Sequence, residues 1–133
     1  MVIYTRMKKE TLQGLNKSCL VSKRHLDAIN KCVEIIQCFD LVFEEIILFG
    51  SCAKSRSRFG SDIDLMILVN EMPPKKKIFD LKNILCDEIE MKSGIEVDLK
   101  VATAISRKVL KKPVKSVVLW SRRALTTPLL HHF

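Results

Sequence analysis

The sequence has no CxxC pair, and its five cysteines, Cys19, Cys32, Cys38, Cys52 and Cys86, leave one unpaired in any scheme. That scatter argues against a disulfide framework and against a zinc site. It suits small buried thiols in a reducing compartment. No histidine lies near Cys52 in sequence, so a catalytic thiol there is not expected. Glycine and proline number only four each, and nothing in the composition favours disorder. Long apolar runs are missing too. The run Leu41 to Phe49 is interrupted by Glu44 and Glu45 and is far too short to span a bilayer. Residues 1–20 lack the continuous apolar block of a signal peptide, so the expected location is cytoplasmic, with no membrane partner. Aromatics are sparse: Tyr4, Trp120 and six phenylalanines form no visible stacking array. Nucleic acid is therefore the least favoured partner, despite a formal charge of +8.

What is present is an ordinary globular composition, 47% hydrophobic and 29% charged over 133 residues. A single domain over 1–133 is expected, with its core at about 22–120 and an irregular tail over 121–133. His131 and His132 fall in that tail and read as a ragged end rather than ligands. Basic clusters occur at Lys75-Lys76-Lys77, Arg107-Lys108, Lys111-Lys112 and Arg122-Arg123. Together they suit a polyanionic partner such as a nucleotide or an acidic protein face. Singly, each reads as a solvated surface.

Ser22 is placed to cap a helix whose apolar residues Leu26, Ile29, Val33 and Ile36 recur at helical spacing. Glu45 to Phe49 reads as a short strand buried on both faces, and Asp62 to Val69 as a second strand. Met72-Pro73-Pro74 breaks the chain before another amphipathic helix, striped by Ile78, Leu81, Leu85 and Ile89 and stopped at Gly94. Ile95 to Val101 alternates as a strand. Thr103 is placed to cap a third helix ended by Pro113, and Val117 to Trp120 forms a last short strand or turn. The order fits an α+β fold, an α/β sandwich in which helices pack on a small mixed sheet.

The chemistry lies in LFGSCAKSRSRFGSDIDL, residues 48–65. Asp62 and Asp64 alternate with Ile63 and Leu65, so a strand turns both carboxylates to one side. Their Cα atoms would lie about 6–7 Å apart. Two carboxylates so close resist joint ionisation, and a divalent magnesium ion resolves that conflict through oxygen ligands. Asp98, between Val97 and Leu99, would complete a three-carboxylate cluster suited to two Mg2+ ions. Gly50 lets backbone approach a ligand closely, and Ser51 offers a hydroxyl and an N–H to phosphate. Lys54, Arg56 and Arg58 lie in the connection and can face the same anion.

A strand, Gly50-Ser51, a gap, then Asp62-Ile63-Asp64-Leu65 preceded by Ser61 resembles the signature of the nucleotidyltransferase superfamily that includes DNA polymerase β. The resemblance covers about residues 25–120 and is nearest to the minimal nucleotidyltransferases. It implies the nucleotidyltransferase fold and Mg2+-dependent transfer of a nucleoside monophosphate, most often AMP from ATP, to an acceptor hydroxyl. By the same resemblance Asp62, Asp64 and Asp98 are catalytic and hold metal, while Gly50 and Ser51 grip the triphosphate, with Lys54 at its arginine position. Minimal members are often paired with a helical HEPN-type protein as antitoxin to toxin, and some adenylylate it. An adenylyltransferase antitoxin with a HEPN-type partner, in a homo- or hetero-oligomer, is therefore the expected function. A catalytically weak module that neutralises its partner by contact is the alternative. One departure stands out: Lys54-Ser55 replaces the usual Arg-Gly. Lysine loses the bidentate fork, and serine is less free to take positive φ, so restoring both residues is expected to tighten triphosphate binding.

Overall fold

The computed structural model describes residues 8–103 and 116–123. The helix expected from Thr103 to Pro113 and the tail with His131 and His132 lie outside the described residues, apart from Thr103 and residues 121–123.

Strands β1 (Lys9–Gln13) and β2 (Ser18–Ser22) form an antiparallel hairpin. Helix α1 (Lys23–Cys38) follows at once, capped as expected by Ser22, whose hydroxyl accepts the His25 backbone N–H. Such a cap contributes about 1 kcal/mol. Next come β3 (Glu45–Phe49), the one-turn α2 (Gly50–Ala53) and β4 (Ile63–Val69). Helix α3 (Lys75–Leu85) runs through a π turn at Cys86–Glu90 into α4 (Met91–Ser93). Gly94 ends this run at φ +77°, a left-handed stop that glycine adopts without strain. Strands β5 (Val97–Thr103) and β6 (Val117–Ser121) complete a four-stranded sheet ordered β5-β4-β3-β6.

The sheet is mixed. β4 and β5 run parallel, joined by the α3 crossover, while β3 is antiparallel to both β4 and β6. The fold is the expected α+β arrangement of helices on a small mixed sheet. Ile46, Leu48, Ile63, Leu65 and Ile67 are fully buried in one core with Ile29 and Ile36 of α1 and Leu81 and Leu85 of α3. Full burial of each such side chain contributes about 1.5–3 kcal/mol. Ile47 and Leu68, which alternate with these residues, are buried as well, so β3 is apolar on both faces as its composition implies.

The structure differs from the sequence expectation in the hairpin, in the π turn and in the starts of two strands, β4 opening at Ile63 rather than Asp62. The hairpin was not anticipated, yet it contributes Leu12, Cys19 and Val21 to the core. Its turn also binds the outer edge of β6: Leu15 N–H donates to Val118 O at 2.8 Å, and Val118 N–H donates to Asn16 Oδ1 at 2.8 Å. An edge strand is thereby covered. Strand β5 begins at Val97 rather than Ile95, and Ile95 is buried in the core just before the sheet starts.

All five cysteines are free thiols. Cys52 is buried, and its burial pushes the thiol up to about 11, which removes it as a nucleophile near neutral pH. Several basic residues are paired locally: Lys76 with Asp80, Lys77 with Asp40, and Arg122 with Glu44. Among the described residues, no helix is long and apolar enough to cross a membrane.

Candidate active site

The register of the sheet assembles the site. Phe49, the last residue of β3, is opposite Asp64 of β4, and Asp64 is in turn opposite Asp98 of β5. Residues in register on adjacent strands share a face and stand about 5 Å apart. The face is the one away from Ile63, Leu65 and Leu99, all buried. Asp62 lies one residue before β4, exposed, and so extends the same row without being part of the ladder. The strand bond from Ile63 N–H to Glu96 O, 2.9 Å long, ties the two carboxylate-bearing segments where they enter the sheet.

Gly50 occupies the space beside Asp64. Its φ is +75°, and a Cβ at that position would collide with Asp64 Oδ2. The bare Cα is what admits the carboxylate. From Gly50 the chain turns through α2, where Ser51 O accepts the Arg56 N–H at 2.8 Å and folds the loop back. Lys54, Arg56 and Arg58 are exposed along that loop, whereas Ser57 is buried. Ser61 closes the loop: its hydroxyl accepts the Arg58 N–H at 2.7 Å, and its own N–H donates to Arg58 O at 3.0 Å.

Ser55 behaves differently from the expectation. It adopts φ +60°, the left-handed conformation that glycine would take more easily. Its hydroxyl accepts the Leu20 N–H of β2 at 2.8 Å, while Lys9 of β1 donates to Ser57 O at 2.7 Å. The hairpin thus grips the loop at two points. The left-handed backbone costs roughly 1–2 kcal/mol, and one hydrogen bond offsets about 0.5–1.5 kcal/mol of it. Ser55→Ala should therefore lose about 1 kcal/mol in urea unfolding, since it keeps the strain and drops the bond. Ser55→Gly should change stability by less than about 0.5 kcal/mol, since it drops both. Equal losses in the two variants would rule out this balance. The serine hydroxyl also alters the expectation for Ser55→Gly: it frees the loop from the hairpin as well as relaxing the turn.

The electrostatics follow from the crowding. Burial holds the Asp64 carboxyl above its ordinary value, and the neighbouring Asp98 and Asp62 push it further in the same direction. Lys100 opposes them. It follows Asp98 by two residues on the same face, with Nζ 3.9 Å from Asp98 Oδ2 and 5.7 Å from the centre of the Phe49 ring. This lysine was missed in the sequence, although the alternation Asp98-Leu99-Lys100 carries it. As placed, the carboxylates form an open set: among the described residues, no three His, Cys, Asp or Glu side chains are grouped tightly enough to enclose a metal ion. The donor chemistry nevertheless fits a hard divalent cation. The oxygens are carboxylate oxygens, and their mutual repulsion is what such a cation relieves.

The turn that precedes and opens α1 also reaches the site and was not singled out in the sequence. His25 is fully buried, and its Nε2 lies 2.9 Å from Ser61 O. Arg24 binds Phe59 O at 2.9 Å and Ser93 O at 2.7 Å.

Residues 29–124 match the family model described as a nucleotidyltransferase domain. Two curated proteins of Methanocaldococcus jannaschii, each named "Putative protein adenylyltransferase", are 32% and 31% identical over 77 residues. Each alignment covers 58% of this chain and 74% of the relative. Among solved structures, a tri-AMPylated Shewanella oneidensis HEPN toxin in complex with MNT antitoxin aligns with a TM-score of 0.50 at 18% identity. That match covers 82% of this chain and 87% of the other. A mutant of the toxin-antitoxin MntA-HpeT aligns with a TM-score of 0.52 at 17% identity, over 77% of this chain and 86% of the other. At these identities the structural likeness speaks to the fold.

Proposed function

The chain belongs to the nucleotidyltransferase domain family, and from that premise we propose that it moves AMP from ATP onto a hydroxyl of a helical, HEPN-type partner protein. The observation that carries this reading is the row Gly50–Asp64–Asp98, a glycine opened for one carboxylate and a second carboxylate in register beside it. The names of the curated relatives favour a protein acceptor and an adenylyl group. The named HEPN–MNT complex supplies the partner type.

In this reading Asp62, Asp64 and Asp98 would hold divalent magnesium, which would supply charge neutralisation on the phosphates. Gly50 and Ser51 lie against the β- and γ-phosphates, and Lys54 adds a positive charge to the same loop. The acceptor oxygen attacks the α-phosphorus, the bond to the bridging oxygen of the β-phosphate breaks, and pyrophosphate leaves. The hydroxyl proton passes to Asp98, whose side chain is 53% exposed and so open to an incoming acceptor. Positioning and electrostatics account for the acceleration.

The test incubates the purified chain with a HEPN-type toxin, or a lysate of the source cells, and Mg·ATP. Mass spectrometry should find one or more AMP groups on the acceptor, lost when magnesium is chelated. A toxin that is neutralised while remaining unmodified would replace this reading with a contact-only antitoxin.

A further inference from the structure

We infer that Arg24 and His25 are positioning residues, which act through the backbone to set the separation of the carboxylate segments. The inference rests on the functional reading above, because it concerns the same carboxylates. Neither side chain touches Asp62, Asp64 or Asp98. Each instead holds a carbonyl on a segment that leads into one of them.

His25 binds on the β4 side. Its Nε2 meets Ser61 O at 2.9 Å, one residue before Asp62. A carbonyl only accepts, so the ring proton sits on Nε2. Nδ1, 2.8 Å from Ser22 Oγ, then accepts the serine hydroxyl, while the same oxygen accepts His25 N–H at 3.0 Å. Ser22 thus caps α1 and fixes the ring with one hydroxyl. The ring itself is fully buried, so the contact is made from the protein interior.

Arg24 spans both sides. Nη1 donates to Phe59 O at 2.9 Å, and its guanidinium lies 4.3 Å from the centre of the Phe59 ring. Nη2 donates to Ser93 O at 2.7 Å, at the end of α4 and five residues before Asp98. One planar fork therefore joins the loop that precedes Asp62 and Asp64 to the segment that precedes Asp98. A lysine, with a single ammonium centre, does not bridge two carbonyls in that way. Gly94 leaves room for this contact, since a Cβ there would lie 3.3 Å from Nη2. The Ile63 N–H to Glu96 O bond lies in sequence between these ties and the Asp64 and Asp98 carboxylates.

The experiment has two readouts on the full chain: Mn2+ binding by calorimetry, and native-state hydrogen exchange over residues 59–66 and 93–98. Arg24→Ala should speed exchange in both segments and His25→Leu over residues 59–66, and each should weaken Mn2+ binding about tenfold or more, the usual scale for residues that orient ligands from behind. His25→Gln, which keeps a donor toward Ser61 O, should restore most of both. Ile29→Val, a core change in the same helix, should lower the melting temperature while leaving Mn2+ affinity and local exchange as in the parent. Unchanged exchange in Arg24→Ala overturns the inference. So does faster exchange with unchanged Mn2+ affinity, or an Ile29→Val variant that loses Mn2+ equally. If the parent chain binds no Mn2+, the functional reading fails. The exchange data then still decide whether Arg24 and His25 hold the segments: local loosening in their variants alone upholds the ties, and its absence removes them.

Discussion

Asp64→Asn should slow adenylyl transfer by on the order of 10³-fold and, in chelator, raise the melting temperature of the protein at neutral pH. The two effects have one cause. Asp64 is held above its ordinary pKa by burial first, and then by Asp98 and Asp62. A carboxyl whose folded value exceeds its unfolded value binds its proton more tightly in the native state. Ionised at neutral pH, it therefore opposes folding, and that penalty fades as pH falls through the raised value toward the unfolded value of 3.8. Asparagine keeps the shape and removes the charge, so the gain over the parent should shrink on acidification. The catalytic loss follows from removing a charged oxygen from a site that stabilises a developing polyphosphate charge, at about 1.4 kcal/mol per decade of rate. Thermal unfolding across pH and rates with Mg·ATP test the pair of claims. A variant that is less stable in chelator at neutral pH would show that Asp64 is held mainly by attractive contacts, and Lys100 would be the first place to look.

That conflict between stability and activity was legible in the sequence because strands alternate. Ile63 and Leu65 had to face the core, so Asp62 and Asp64 had to face away, and the Gly50-Ser51 turn at the end of an apolar strand had to lie beside them. The register that sets Asp64 against Asp98 is a different kind of fact. It depends on where β5 starts, and the alternation Ile95 to Lys100 reads equally well with a start at either Ile95 or Val97. The structure begins the strand at Val97, which leaves the carboxylates in register. The hairpin was illegible for a physical reason: its buried residues Leu12, Cys19 and Val21 are few, an exposed Leu20 between the last two blurs the alternation, and the strands pack on α1 and α2, which local pattern does not show. The π turn at Cys86–Glu90 was hidden because Leu81, Leu85 and Ile89 fall on one stripe whether or not the helix widens between them. Arg24 and His25 were not singled out; they fall in the first turn of the helix that Ser22 caps. Their partners Phe59, Ser61 and Ser93 lie 35 to 69 residues away, and no spacing rule links them.

Gly50→Ala should cost the protein both folding stability and activity. At φ +75° an alanine carries roughly 1–2 kcal/mol of backbone strain. Its Cβ would also enter the space of Asp64 Oδ2, so the carboxylate must rotate away from the row it forms with Asp98. Both costs fall on the same substitution, and a total loss of about 2–4 kcal/mol of folding stability is expected. Displacement of a reacting-site carboxylate by about 1 Å is enough to cost on the order of 10²-fold in rate. A double-mutant cycle separates the two contributions. In an Asp64→Ala background only the Cβ of residue 64, 3.3 Å away, remains beside the added methyl group, so adding it should cost little beyond the backbone strain. The coupling energy measured by urea unfolding is then the steric part alone, and it should be at least about 1 kcal/mol. If the Gly50→Ala cost is the same with and without the Asp64 carboxylate, the glycine serves the turn only, and its bare Cα does not make room for the acid.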